Sequence, residues 1–339
     1  MNLHIAKSYW SRQFLLFATA CLLTVGIGGT TVAGIQGSGL RRMVAFGTVS
    51  TSGGLTVNGV TYDASGARVI VNGHGATASS VHAGHVVAVQ GTTSPDGSRV
   101  TAEEVLLVSD IRGEITVVDT TANAVQVLGQ TVRLTGESVL DPSIQPANVT
   151  GLRPGMVVSV SGFATTEGTY IASRIDTEAA LQAAQVRGAI QALDGWRKSL
   201  RIGALTVDYA TASIEGTLAE GAIVTVEGLA PSPNDSLVAT TVEVFAGLGH
   251  DGERGDLEGI ITAFASSSDF EVNGQPFLAD SKTVYVLHAG ELTGDVLVRV
   301  KGNFNSAGIL LADKIQTDAP KIKQSENKQL RPGKPAAKK

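Results

Sequence analysis

One cysteine, Cys21, in 339 residues leaves little thiol chemistry to consider. It lies in an apolar amino-terminal stretch, and removal of that stretch would leave a chain without disulfides and without thiolate catalysis or ligation. Aromatic residues are scarce, with nine Phe, five Tyr and two Trp, which restricts ligand stacking to isolated rings. The chain shows no long amphipathic helical pattern, no Gly-x-Ser-x-Gly, no phosphate loop and no dinucleotide fingerprint, so nucleophile-elbow and nucleotide-binding chemistry has no motif to rest on. Ser, His and Asp are too common here for a triad to be inferred without geometry.

What the chain has in quantity is glycine, 40 residues, and one phrase written four times. It reads VHAGHVVAVQG at 81–91, LRPGMVVSVSG at 152–162, LAEGAIVTVEG at 218–228 and LTGDVLVRVKG at 292–302. The closing glycines lie 71, 66 and 74 residues apart, too irregular for a tight solenoid and suited to small domains. Each phrase reads as a turn and a half-buried strand. Val87/Val89, Val158/Val160, Val224/Val226 and Val298/Val300 point inward, and Ala88/Gln90, Ser159/Ser161, Thr225/Glu227 and Arg299/Lys301 point to water. Upstream of the first and last phrases, Asn58-Gly59 and Asn273-Gly274 sit between β-prone runs, a strong cue for a type I′ hairpin. Leu128-Gly129 and Gly203-Ala204 hold that place in copies two and three with less suitable turn residues.

Within copy one, strands at 43–50, on both sides of the Asn58-Gly59 turn, and at 68–71 precede a segment at 76–81 able to form one helical turn. Strands at 86–91 and 99–107 close it. Five strands with a helical turn before the fourth predict a small Greek-key barrel of the OB type, since closure removes sheet edges; two packed sheets are the alternative. The expected architecture is all-β, with four tandem five-stranded OB-like barrels at residues 43–110, 111–178, 186–246 and 257–318. Gly113, Gly188 and Gly259, early in copies two to four, are expected at bulges or bends. Copies this small are near the limit for an independent core, so contact between neighbours is expected. The Ala-rich connector at 178–185 is expected to be helical, and the polar, glycine-rich connector at 247–256 to be a flexible hinge.

Residues 1–35 read as targeting: Lys7 and Arg12, then an uncharged apolar run, then Thr31-Val32-Ala33 for cleavage. The uncharged stretch 14–35 is also long enough for an uncleaved anchor. A lipoprotein reading of Cys21 is disfavoured because the apolar run continues past it. The net charge of −5 conceals an asymmetry. Residues 320–339 hold seven basic and one acidic side chain, whereas residues 36–319 hold 17 basic and 30 acidic, about −13. An acidic body disfavours nucleic-acid backbones. The basic, Pro/Gln/Asn-containing tail reads as disordered, either a solvated end or a tether to anionic lipid or polymer.

Candidate sites are few. His74, His82 and His85 form the single histidine cluster and could in principle hold zinc, although copies two to four have Arg153/Met156, Ala219/Ala222 and Thr293/Val296 at the places of His82 and His85. Trp196, with Arg197 and Arg201 nearby, could stack on a ring-shaped ligand; packing against a neighbouring module is the alternative. Asp251, Glu253, Asp256 and Glu258 lack the spacing of a Ca²⁺ loop and read as a solvated spacer.

The opening glycine, the Val-Asn-Gly hairpin (Val57-Asn58-Gly59, Val272-Asn273-Gly274) and the L-x-x-G-x-x-V-x-V-x-G phrase together resemble the bacterial family known as domain of unknown function 5666. The resemblance covers about residues 43–318 as four copies; the last departs from it with Asp295 where the others have glycine. It implies exported proteins built of small β-barrels and assigns no catalytic residues. The expectation is therefore an exported, periplasmic or cell-surface protein that binds or scaffolds without catalysis or cofactor, its partner a protein or envelope polymer and not nucleic acid. Residues 14–35, if kept as an anchor, and the basic tail, if a tether, are the two places open to membrane contact. The alternatives are an envelope metal-dependent hydrolase using the copy-one histidines, and OB-type binding of a single-stranded nucleic acid or polymer.

Overall fold

The computed structural model describes residues 41–50, 54–94, 96, 98–229, 236–288 and 290–317; residues 1–35, read above as targeting, and the basic tail at 320–339 lie outside them. Barrel two shows the plan most clearly. Its strands are Ile111–Asp119, Ala124–Val127, Gln130–Leu140, Val157–Ala164 and Tyr170–Thr177. The first three form a meander, the fifth runs parallel to the third, and the fourth pairs with both the fifth and the first. The order 1-2-3-5-4-1 closes the sheet, as in an OB barrel. The other barrels repeat it, from Arg41–Ser50 to Val100–Leu107, from Ala184–Ala189 to Ser236–Val244, and from Arg254–Ser266 to Leu310–Thr317. The helical turn of barrel one is a 3-10 turn at Ala78–Ser80, and Val149–Gly151 occupies the same place in barrel two.

Two recurrent glycines shape each barrel. The closing glycines Gly91, Gly162, Gly228 and Gly302 all stand at a register shift between strands four and five. A Cβ at any of them would collide with a carbonyl oxygen of strand five, on Thr101, Ile171, Val238 or Leu311. The opening glycines make room for the hairpin instead: Asn58 lies over Gly47, Leu128 over Gly113, Ile202 over Gly188 and Asn273 over Gly259. Both turn residues take positive φ in Asn58-Gly59, Leu128-Gly129 and Asn273-Gly274, as a type I′ turn requires.

The eight inward valines are 0–1 % exposed. Their outward partners differ from expectation. Ala88 and Ser161 are each only 3 % exposed and Thr225 9 %; Ala88 falls in one buried cluster with Leu257 and Val298 of barrel four, and a strand covered on both faces loses its polar alternation.

The barrels associate in two pairs, each a 12-stranded sheet. Barrels two and three join through their first strands, antiparallel at Ile111–Val186 and Arg112–Gln185, and share one buried core. Barrels one and four, the ends of the chain, also join through their first strands, but parallel, with Met43–Phe46 alongside Arg254–Leu257. Val44, Ala88 and Leu106 fall in one buried cluster with Leu248 and Leu257. Phe163 of barrel two meets Val86 of barrel one and Ile260 of barrel four. The connectors correct two expectations. Residues 178–183 form bends rather than a helix, a segment too short to offset helix nucleation. Residues 254–256 are not a hinge but part of the parallel strand, with Glu253 and Asp256 buried.

Candidate functional site

Several buried or half-buried charged residues lie where barrels meet. Asp110, in the short connection between barrels one and two, accepts a hydrogen bond from the Gly162 main-chain N–H at 3.0 Å and faces Arg187 of barrel three at 3.9 Å. Arg187 also donates to the Asn273 carbonyl of barrel four at 3.3 Å and lies 5.2 Å over the Phe245 ring. Burial pushes the Asp110 carboxyl up to about 6, with Arg187 and the Gly162 N–H holding it back from a larger rise. Nearby, Ser109 is clasped by Asn72 of barrel one, which accepts from its N–H at 2.8 Å and donates to its Oγ at 3.1 Å, and by the Gln185 amide, which donates to its carbonyl.

Barrel one docks on barrel two through residues 82–85. His85 Nε2 donates to Asp176 Oδ2 at 2.8 Å, while its Nδ1 accepts from the His82 N–H at 2.9 Å. Arg174 grips the same carboxylate through Nε at 2.8 Å and also donates to the Ala83 carbonyl at 3.0 Å. Burial alone would raise the Asp176 carboxyl; hydrogen bonds from His85 and Arg174 outweigh it and hold it at about 2. Gly84, at φ +86°, packs against the Ser173 carbonyl and the Arg174 Cβ, where no side chain would fit.

Barrel four reaches barrel two by the same turn. Asp295 takes φ +65° where the other copies have glycine at 80–88°, a conformation Asp tolerates better than most residues. Its carboxylate accepts from the Thr166 N–H at 2.7 Å and the Thr166 hydroxyl at 2.9 Å. Across the pairing of barrels one and four, Asn58 Nδ2 donates to the Asp256 carbonyl at 2.9 Å, and Thr48 Oγ1 donates to Glu258 at 2.8 Å. The Asp256 carboxylate takes a two-pronged contact from Arg299 at 2.6 and 2.5 Å and a third from Lys301 at 3.2 Å. The acidic run thus does not behave as a solvated spacer.

The three histidines are not gathered into a ligand set. His82 and His85 lie 5.7 Å apart between ring centroids, both nitrogens of His85 are engaged, and His74 turns back on the Asn72 carbonyl at 2.9 Å. Among the described residues no group of three His, Cys, Asp or Glu is placed to hold a metal ion. Trp196 packs against no neighbouring barrel: it is 94 % exposed at a hairpin tip. The Asp194 carboxylate shapes that tip, accepting from the main-chain N–H groups of Trp196 at 3.0 Å and Arg197 at 2.8 Å. Arg201 lies further down the hairpin, opposite Gln191 and Thr206.

A cleft of about 250 Å³ opens where barrels two, three and four converge. Gln130 and Tyr170 of barrel two line it with Gly188 and Gly203 of barrel three and Glu271 of barrel four. The sequence reading did not single out Gln130 or Tyr170. The available signal was Gln130 itself, a polar residue directly after the hairpin glycine, matched only by Gln275 in barrel four.

No curated protein matches the chain. The family model described as Domain of unknown function (DUF5666) matches four times, at residues 47–105, 112–176, 187–243 and 258–316. Each match falls on one barrel, from its first strand to its fifth, and together they take in well over half of the chain. The chain therefore belongs to the DUF5666 family, as four tandem copies of its domain.

Proposed function

We propose that the chain is an exported, non-enzymatic scaffold of the bacterial cell envelope that presents the outer surfaces of four barrels in one fixed arrangement. The observation that carries this reading is the use of buried charge between barrels: Asp110 faces Arg187 of barrel three, His85 of barrel one pairs with Asp176 of barrel two, and Arg174, which grips Asp176 within barrel two, also reaches the Ala83 carbonyl of barrel one. Such pairs contribute little net stability, yet removing one partner costs about 3–5 kcal/mol, so they specify a geometry more than they strengthen it. Export rests on residues 1–35, and membrane contact is assigned to residues 14–35 or the basic tail. Among the described residues no helix is long and apolar enough to cross a membrane. Trp196 and Arg197 are the surface pair assigned to the partner or polymer. The metal-hydrolase reading is weaker, because each nitrogen of His85 already has a partner that a metal would have to displace, the His82 N–H at Nδ1 or Asp176 at Nε2.

Co-sedimentation of the full chain with purified envelope fractions tests the proposal. Saturable binding is expected, weakened about tenfold both by Trp196→Ala, which removes the contact, and by Arg174→Met, which loosens the arrangement. Binding unchanged in both variants, or substrate turnover that His82→Ala abolishes, would overturn it. The OB strand order supports a second reading, binding of a single-stranded polymer; oligonucleotide binding that persists without residues 320–339 would favour that one.

A further inference from the structure

The Gln130 side chain is 1 % exposed, and its orientation is set by two carbonyls. Its Nε2 donates to Leu128 O at 3.0 Å and to Ile202 O at 2.7 Å. The amide oxygen is left buried without a partner. A second buried atom in the same cleft wall, the Tyr170 hydroxyl, is likewise unpartnered, in the space that the missing Cβ of Gly188 leaves 3.1 Å away. An unpartnered buried polar atom carries a desolvation cost of about 1–3 kcal/mol, so two in one cleft call for an occupant.

Barrel four supplies an internal comparison. Gln275, at the same position after its hairpin glycine and equally buried, also points its Nε2 at carbonyls, those of Pro276 and Gly308. Its oxygen, however, accepts from the Leu248 main-chain N–H at 2.9 Å. The fold thus provides a donor for this glutamine oxygen where the chain itself fills the space, and provides none where the cleft opens.

We infer that the cleft between barrels two, three and four is a binding site for a small organic ammonium ion, whose N–H groups satisfy Gln130 Oε1 with Glu271 as counter-charge. The lining contains one carboxylate, Glu271, and no Lys, Arg or His, which selects against anions. Burial and the neighbouring Asp269 carboxylate push the Glu271 carboxyl above its ordinary range, the state that a bound cation relieves. At about 250 Å³ the cleft is smaller than the ~300–1,000 Å³ typical of drug-sized ligands. The wall of Ala164, Ala189, Ile202 and Ile223 suits a compact apolar body behind the charged head. This site is independent of the scaffold proposal, and either can fail alone.

Cyclohexylammonium chloride titrated into the full chain, followed by calorimetry and by the side-chain amide signals of Gln130, tests the assignment. Saturable one-site binding with Kd on the order of 1 mM is expected, with the Gln130 signals shifting. Cyclohexanol, the same ring without the charge, should bind about tenfold more weakly, as should cyclohexylammonium to Glu271→Gln. Ala189→Phe should abolish binding by filling the cleft. Equal binding of alcohol and amine, equal binding to Glu271→Gln with an unchanged melting temperature, or unmoved Gln130 signals would each overturn the assignment. So would an absence of saturation.

Discussion

A single carboxyl shows how the junctions tie stability to pH. Asp110 is buried between three barrels, and its folded value of about 6 stands above the ordinary 3.8. For a carboxyl raised on folding, the native state holds its proton more tightly than the unfolded chain. Stability is therefore lost as pH rises from about 4 to about 6 and does not recover above that window. The shift corresponds to at most about 3 kcal/mol. Asp110→Asn keeps an oxygen for the Gly162 N–H and removes the titration. Urea unfolding across pH 4–7 should show wild type losing up to about 3 kcal/mol relative to Asp110→Asn over that range; parallel curves would contradict the burial of this carboxyl. Asp176 has the opposite sign, held at about 2, so its contribution is present above pH 4 and fades only in stronger acid.

At the scale of the strand, the closing glycine is the most informative element. The sequence placed it at the end of an alternating run in all four copies, and the barrel order followed from hairpin, short strand and helical turn. What the alternation could not reveal was the reason for glycine: a strand-five carbonyl occupies the site of the Cβ. Gly162→Ala should therefore destabilise by about 1–3 kcal/mol through overpacking. Gly66→Ala, with open space around its Cβ and no positive φ, should stay within about 0.5 kcal/mol of wild type. Equal effects in denaturant unfolding would remove the carbonyl contact as the explanation. The outward positions Ala88, Ser161 and Thr225 were misread for a related reason: period two reports which side chains alternate, not whether a second barrel covers the far face.

At the scale of the molecule, local pattern ran out. Tandem copies suggest a string, and the polar connector at 247–256 carries the composition of a hinge. Yet its final residues run parallel to the first strand of barrel one, about two hundred positions away in sequence. Nothing in either segment alone announces this partner, because pairing between non-neighbouring barrels depends on the outer faces of both. The candidate sites follow the same logic. His85 drew notice as a possible ligand and proves to be half of a junction with Asp176. Gln130 drew none, because its significance lies in the donor it lacks. Asp295 stood out only as a departure from the repeated glycine at a turn, and its contact with Thr166 makes it a junction as well.

The docking of the first barrel on the last is the central structural claim, and a disulfide tests it most directly. Arg42 and Glu253 approach to 3.9 Å across the parallel pairing, where adjacent strands lie about 4.8 Å apart, within reach of a disulfide. In the full chain with Cys21→Ser, the pair Arg42→Cys and Glu253→Cys should oxidise within one molecule, giving a faster band on non-reducing gels that reduction reverses. A chain that stays unlinked under oxidation, or links only between molecules, would contradict the closed arrangement of the four barrels.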